Sequence, residues 1–155
     1  MKIEFWYIGK TNEKYLATGI GIYTKRLSHY CKYSEVCHKD VKPASNHSAT
    51  VEAEADMILS KLKTEDMLVL LDEVGQEYSS VAFSKQMQRW LNRSPRRMVF
   101  LVAGAYGAST RLKSRADHML SLSKMTFSHQ MIRLFFVEQL YRAFTILKNE
   151  KYHNI

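Results

Sequence analysis

Met67-Leu68-Val69-Leu70-Leu71 is apolar without interruption, and Met98-Val99-Phe100-Leu101-Val102 is a second hydrophobic strand of the same length. A strand with one wet face alternates polar and apolar side chains. One that does not alternate is buried on both faces, as in a parallel sheet covered by helices. Helical spacing surrounds these runs. Tyr15, Leu16, Ile20, Tyr23 and Leu27 follow Asn12, a residue suited to cap a helix, and Val51, Ala55, Ile58, Leu59 and Leu62 line a helix from Thr50 to Lys63. Further strands are expected at 2–8, from Val36 to Val41 and at 120–123, and a polar loop around Pro43 to Ser48. After a turn over Asp72 to Glu77, a helix capped by Ser79 or Ser80 ends near Arg93. A short helix covers 108–116, and a long one runs from Ser128 to about Lys148. Such alternation of strand and helix predicts an α/β sandwich around a mainly parallel sheet.

The chain has 155 residues, 46% hydrophobic and 25% charged, which suits one soluble domain with its own core. No apolar run approaches the ~18 residues of a membrane span, and the start has no signal-peptide anatomy. Cys31 and Cys37 fit neither a zinc nor a disulfide framework, so a reducing, cytoplasmic setting is expected. No His/Cys/Asp cluster has ligand spacing, so no catalytic metal is expected.

The formal charge is +8, and it is uneven. From Tyr78 to Ala116 no residue is acidic, while Lys85, Arg89, Arg93, Arg96, Arg97, Arg111, Lys113 and Arg115 are basic. A field of one sign over that much chain favours a polyanion, so nucleic acid is the expected partner; a solvated face without a partner is the alternative. The last helix carries Met131, Ile132, Leu134, Phe135, Phe136, Val137, Leu140, Tyr141, Phe144, Ile146 and Leu147, a stripe too wide for one core contact. Half facing the sheet and half a second copy predicts a homodimer.

Two small-residue turns mark a ligand site. Val102 runs into Ala103-Gly104-Ala105-Tyr106-Gly107, and Leu120 to Phe127 forms a second loop about twenty residues later. Taken in order, Leu70-Leu71-Asp72-Glu73-x-Gly75, the 103–107 turn, Ser121-Leu122-Ser123-Lys124-Met125-Thr126, His129, Arg133, Glu138-Gln139-x-Tyr141-Arg142-Ala143 and Tyr152-His153 resemble the ribosomal RNA large subunit methyltransferase H family over the whole length. The resemblance implies a SPOUT fold with a trefoil knot around S-adenosylmethionine, here a single domain over 1–155 with the knot at about 98–148 and a tail at 149–155. It also implies methylation of N3 of a pseudouridine in 23S ribosomal RNA on the assembled ribosome. The cofactor contacts it implies fall on Leu71, Ala103, Gly104, Leu122, Ser123, Lys124, Met125, Thr126 and Phe127. Many relatives have two glycines where this chain has Ala103-Gly104. They also commonly have proline where it has Ser128 and Lys151, the latter change leaving a less stiff tail.

Methyl transfer from a sulfonium is an in-line displacement that needs positioning and a place for the acceptor proton. With the resemblance, His153 is the candidate base and Tyr152 its companion at the substrate ring. Arg142 is expected to stabilise ring charge, and His129 competes as the base. Arg133, Arg89, Arg93, Arg111, Lys113 and Arg115 are the candidate RNA contacts. Each has a plainer alternative: Arg142 follows Glu138 by four positions and could pair with it, His129 could simply position the helix start, and a Tyr-His pair near a C-terminus could be a frayed tail. A ribosome-binding factor without transfer activity, and a phosphate-binding enzyme using the 104–107 turn, stand as other readings. The second lacks a Walker lysine and a G-x-G-x-x-G.

Overall fold

A computed structural model describes residues 1–42 and 45–154, so Pro43 of the expected polar loop lies outside the described residues. The elements alternate as β1 (Lys2–Ile8), α1 (Lys14–Leu27), β2 (Tyr33–His38), α2 (His47–Lys61), β3 (Asp66–Glu77), α3 (Ser80–Asn92), β4 (Arg97–Val102), α4 (Thr110–Arg115), β5 (His118–Ser121) and α5 (Met131–Leu147). The sheet order is β2-β1-β4-β3-β5 and every neighbouring pair is parallel. The two uninterrupted apolar strands, β3 and β4, are paired to each other inside it, with Leu68, Val69, Leu70, Val99, Phe100 and Leu101 fully buried.

Helices cover both faces. Trp6, Ile8, Leu68, Leu70, Val99 and Leu101 meet Ala55 and Ile58 of α2 and Leu112 of α4. On the other face Phe5, Val69, Met98, Phe100 and Leu120 meet Ile20 and Leu27 of α1, Phe83, Met87 and Trp90 of α3, and Phe136, Val137, Leu140 and Phe144 of α5. Helix α5 lies between α1 and α3 and packs on both. Its wide stripe is therefore largely explained within one chain: the centre faces the sheet and the flanks face two helices. Phe135 remains 43% exposed.

Several boundaries moved for identifiable reasons. Asn12 is not a cap: its N–H donates to the Gln130 side chain at 3.0 Å, and α1 begins at Lys14 behind Glu13, which makes no side-chain cap bond. Asn46 caps α2 and Ser79 caps α3. β2 starts three residues early because Tyr33 to His38 run in register with Ile3 to Ile8. The expected turn at 72–77 is extended chain. β5 pairs with β3 twice, Leu120 facing both Leu71 and Gln76 while the residues between loop out. A Cβ at Gly75 would sit 2.7 Å from the backbone of Met119 and Leu120, so only glycine permits this crossing. Ser128 accepts from the Met131 N–H at 3.0 Å one turn ahead of α5.

Candidate active site

The chain ends of β3, β4 and β5 open on one edge of the sheet, and a cavity of about 450 Å³ lies there. This is where an open parallel sheet binds ligands, since the loops leaving the strands diverge around a crevice. Leu71, Ala103, Gly104, Leu122, Ser123, Met125, Thr126 and Phe127 all line it. Lys124, also expected there, is exposed and outside the lining.

Local bonds explain the shape of both loops. Gly107 donates to the Gly104 carbonyl at 3.1 Å and turns through φ +83°, which closes the 104–107 turn before Ser109 caps α4. In the second loop Ser121 Oγ donates to the Ser123 carbonyl at 2.9 Å, and Ser123 Oγ accepts from the Met125 N–H at 2.9 Å. The Ser123 hydroxyl therefore shapes the loop. Leu71, Leu122, Phe127 and Ile132 are among the apolar residues of the lining, beside the small residues of the 103–107 turn. Tyr106, on the rim, stacks on His47 with ring centres 3.7 Å apart.

The cavity also holds residues not expected among its contacts. Asp72, Glu73, Val74, Tyr106, Lys113 and Ile132 line it, and Lys113 Nζ stands 3.5 Å from Asp72. Lys113, expected on the RNA surface, thus belongs to the cavity wall. The position of Asp72-Glu73, directly after a buried strand, was the signal that marked them. His129 lines the cavity as well. Burial, then the charge of Arg133, lowers its pKa, so the imidazole is neutral at neutral pH and able to accept a proton.

The tail residues are elsewhere. Met131 to Arg142 spans about 16 Å of helix at ~1.5 Å per residue, and the cluster around Arg142 lies at that far end of α5. Arg142 pairs with Glu138, as its spacing allowed, and lies 3.2 Å from His153 Nδ1 and 4.7 Å above the Tyr152 ring. Tyr152 donates to Glu138 at 2.9 Å and stands 3.3 Å from the Tyr23 hydroxyl. Burial, with these partners, holds the phenol pKa above its ordinary value. The tail is pinned rather than slack, because the hydrogen bonds and the Tyr141 and Arg142 contacts do what a proline would have done.

Arg133 is not an RNA contact. It is fully buried, donating to the carbonyls of His129 (3.0 Å), Gly9 (2.9 Å) and Ile8 (2.8 Å) and to Thr11 Oγ1 (3.1 Å), with its guanidinium 4.3 Å above the Tyr7 ring. It ties the end of β1 to the start of α5. Much of the basic stretch is also paired by acids outside it, most of them distant in sequence. Arg96 pairs with Glu65, Arg97 with Asp66 and Glu4, Arg111 with Glu52 and Asp56, and Arg115 with Asp117. Of the expected RNA residues, Arg89 and Arg93 on α3 keep exposed guanidinium groups with no acidic partner among the described residues. Among those residues no group of His, Cys, Asp and Glu is placed to hold a metal ion, and no helix is long and apolar enough to cross a membrane.

Comparison with known proteins points the same way. A family model described as "Predicted SPOUT methyltransferase" matches residues 1–153. Proteins named ribosomal RNA large subunit methyltransferase H are similar from end to end. That of Flavobacterium psychrophilum is 51% identical, covering 99% of each chain. Those of Flavobacterium johnsoniae and Cytophaga hutchinsonii are 49% and 44% identical, each over 99% of this chain and 99% and 100% of their own.

Proposed function

The chain belongs to the ribosomal RNA large subunit methyltransferase H family of SPOUT methyltransferases, and we propose that it transfers a methyl group from S-adenosylmethionine to N3 of a pseudouridine in 23S ribosomal RNA within the assembled ribosome, in the cytoplasm. One observation carries the site assignment. Three strands bring Leu71, in mid-β3 at its change of register, the Ala103–Gly104 turn after β4 and the 122–127 loop after β5 around one cavity of ligand size. Apolar side chains there suit an adenine face, and strand-end backbone groups suit its edge and the ribose hydroxyls. Leu71, Leu122, Met125 and Phe127 would hold the cofactor, which when bound supplies an electrophilic methyl carbon on a sulfonium.

The chain's own task is then to place the acceptor nitrogen in line and remove its proton. His129 reaches the cavity within the same chain; Arg142, Tyr152 and His153 do not. A homodimer resolves this. The solvent faces of α1 and α5 expose Tyr15 (61%), Ile22 (48%) and Phe135 (43%), and Phe135 adds the neighbouring Phe127 ring at 4.9 Å. A two-fold axis that sets two α5 helices antiparallel brings the tail end of one against the cavity end of the other. His153 of one copy then acts as base beside the other copy's cofactor, with Arg142 stabilising charge that develops on the ring carbonyls. Arg89 and Arg93 are the RNA contacts this reading keeps.

Calorimetry with S-adenosylmethionine, followed by mass spectrometry of ribosomal RNA from treated ribosomes, tests the proposal. Binding and an added methyl on a pseudouridine N3 are expected. Absence of binding refutes the donor; binding without transfer to ribosomes leaves the non-catalytic ribosome factor.

A further inference from the structure

Behind the Ala103–Gly107 turn stands a buried carboxylate that the chemistry above does not use. Glu54, on α2, is 7% exposed and makes no ion pair among the described residues. The site a Cβ on Gly104 would take lies 2.7 Å from Glu54 Oε2 and 2.8 Å from its Cδ. The carboxylate fills that space, so glycine is required at 104 by what lies behind the turn as much as by what lies in front. In front, Gly104 lines the cavity. Burial raises the Glu54 pKa and Asp40 acts in the same direction, while the Gly104 N–H facing the carboxylate favours the anion. Among the described residues no cation pairs with that carboxylate, and the residue it abuts, Gly104, is itself part of the cavity lining.

We propose that Glu54 is a specificity-determining and positioning residue: it braces the Gly104 turn and supplies a negative charge that favours the sulfonium form of the donor over the neutral thioether left after transfer. This rests on S-adenosylmethionine being the donor. In the transfer the carbon–sulfur bond breaks and its electron pair returns to sulfur. The acceptor nitrogen's pair forms the new carbon–nitrogen bond, and its proton passes to the base. The positive charge thereby leaves the sulfur, and with it the attraction to Glu54, so spent cofactor is held less tightly than fresh. The same carboxylate makes the turn a poor phosphate cradle, against the anion-binding reading of residues 104–107.

Calorimetry on the full-length protein with S-adenosylmethionine and S-adenosylhomocysteine, in wild type and Glu54→Gln, reads the effect directly. Glutamine keeps the shape and an acceptor oxygen for the Gly104 N–H but removes the charge. Between unit charges at an effective dielectric of about 20, Coulomb attraction is of order a few kcal/mol at close range, a scale that corresponds to a several-fold or greater change in affinity. The preference for the sulfonium is expected to fall at least fivefold, through weaker sulfonium binding, with thioether binding within about twofold. Glu54→Asp should weaken both ligands yet keep their ratio near wild type. An unchanged ratio in Glu54→Gln overturns the proposal. Should that variant not fold, Gly104→Ala, which displaces the carboxylate, carries the same criterion. If the wild type binds neither ligand, it is the donor assignment that fails.

Discussion

The two ends of α5 are built in opposite ways. At its start a cavity is walled by apolar side chains and bare backbone, with His129 on its lining. At its finish Glu138, Arg142, Tyr152, His153 and Tyr23 close on one another. The first has room for a ligand; the second is a set of polar side chains bonded to one another. On the proposed reading a site that uses both is assembled from two chains, since about 16 Å of helix separates them in one.

That contrast is open to direct attack. His153→Ala is expected to lower methyl transfer by about 10²–10⁴-fold, the usual worth of a positioned proton acceptor, with S-adenosylmethionine affinity within about twofold. Equal losses in affinity and turnover would place the tail at the cofactor instead. Mixing His153→Ala with a variant whose cavity is filled, such as Thr126→Trp, should restore about a quarter of wild-type transfer once subunits exchange, because half the dimers then carry one intact composite site. No recovery would mean each chain works alone.

Arg133→Met tests the claim that this buried cation is structural. It leaves the carbonyls of Ile8, Gly9 and His129 without their donor, and a loss of about 3–5 kcal/mol in unfolding free energy is expected from denaturant titration. A stable variant with weakened ribosome binding would reverse the assignment.

His38, 5% exposed with its Nε2 unpartnered, has its pKa pushed down to about 4, chiefly by burial. Since the folded value lies below the unfolded one, its neutral form favours the fold at neutral pH. That stability drains away as pH falls from about 6.5 toward 4, by up to about 3 kcal/mol. Urea titrations across that range should show the slope, and His38→Leu should flatten it.

The smallest effect concerns charge. Arg89→Gln with Arg93→Gln should weaken ribosome binding several-fold and reduce its salt dependence, whereas Arg111→Gln, whose guanidinium is engaged by Glu52 and Asp56, should leave binding nearly unchanged. Filter binding at several salt concentrations separates the two.

Most of the fold was legible because burial writes itself into local pattern. Unbroken apolar runs can only be interior strands, and helical spacing of apolar residues names the inward face of α1 and α2. What misled were features whose meaning depends on distant partners. Asn12 has a capping side chain, but its backbone is claimed by Gln130. Residues 72–77 have turn composition, yet they continue β3, and Gln76 and Glu77 pair with β5 a second time. The stretch from Tyr78 to Ala116 contains no acid, yet Glu52, Asp56, Glu65 and Asp66 arrive from elsewhere to neutralise much of it.

The sequence by itself determined the parallel α/β architecture, the two turns that follow β4 and β5 and, through its ordered motifs, the family. Those follow from residue type and spacing along the chain. Only the tertiary structure decided that the turns share one cavity, that Glu54 backs Gly104, that Arg133 is interior and that the tail lies a helix length from the cavity. Each of these is a distance between residues remote in sequence, and such distances are set by how layers pack.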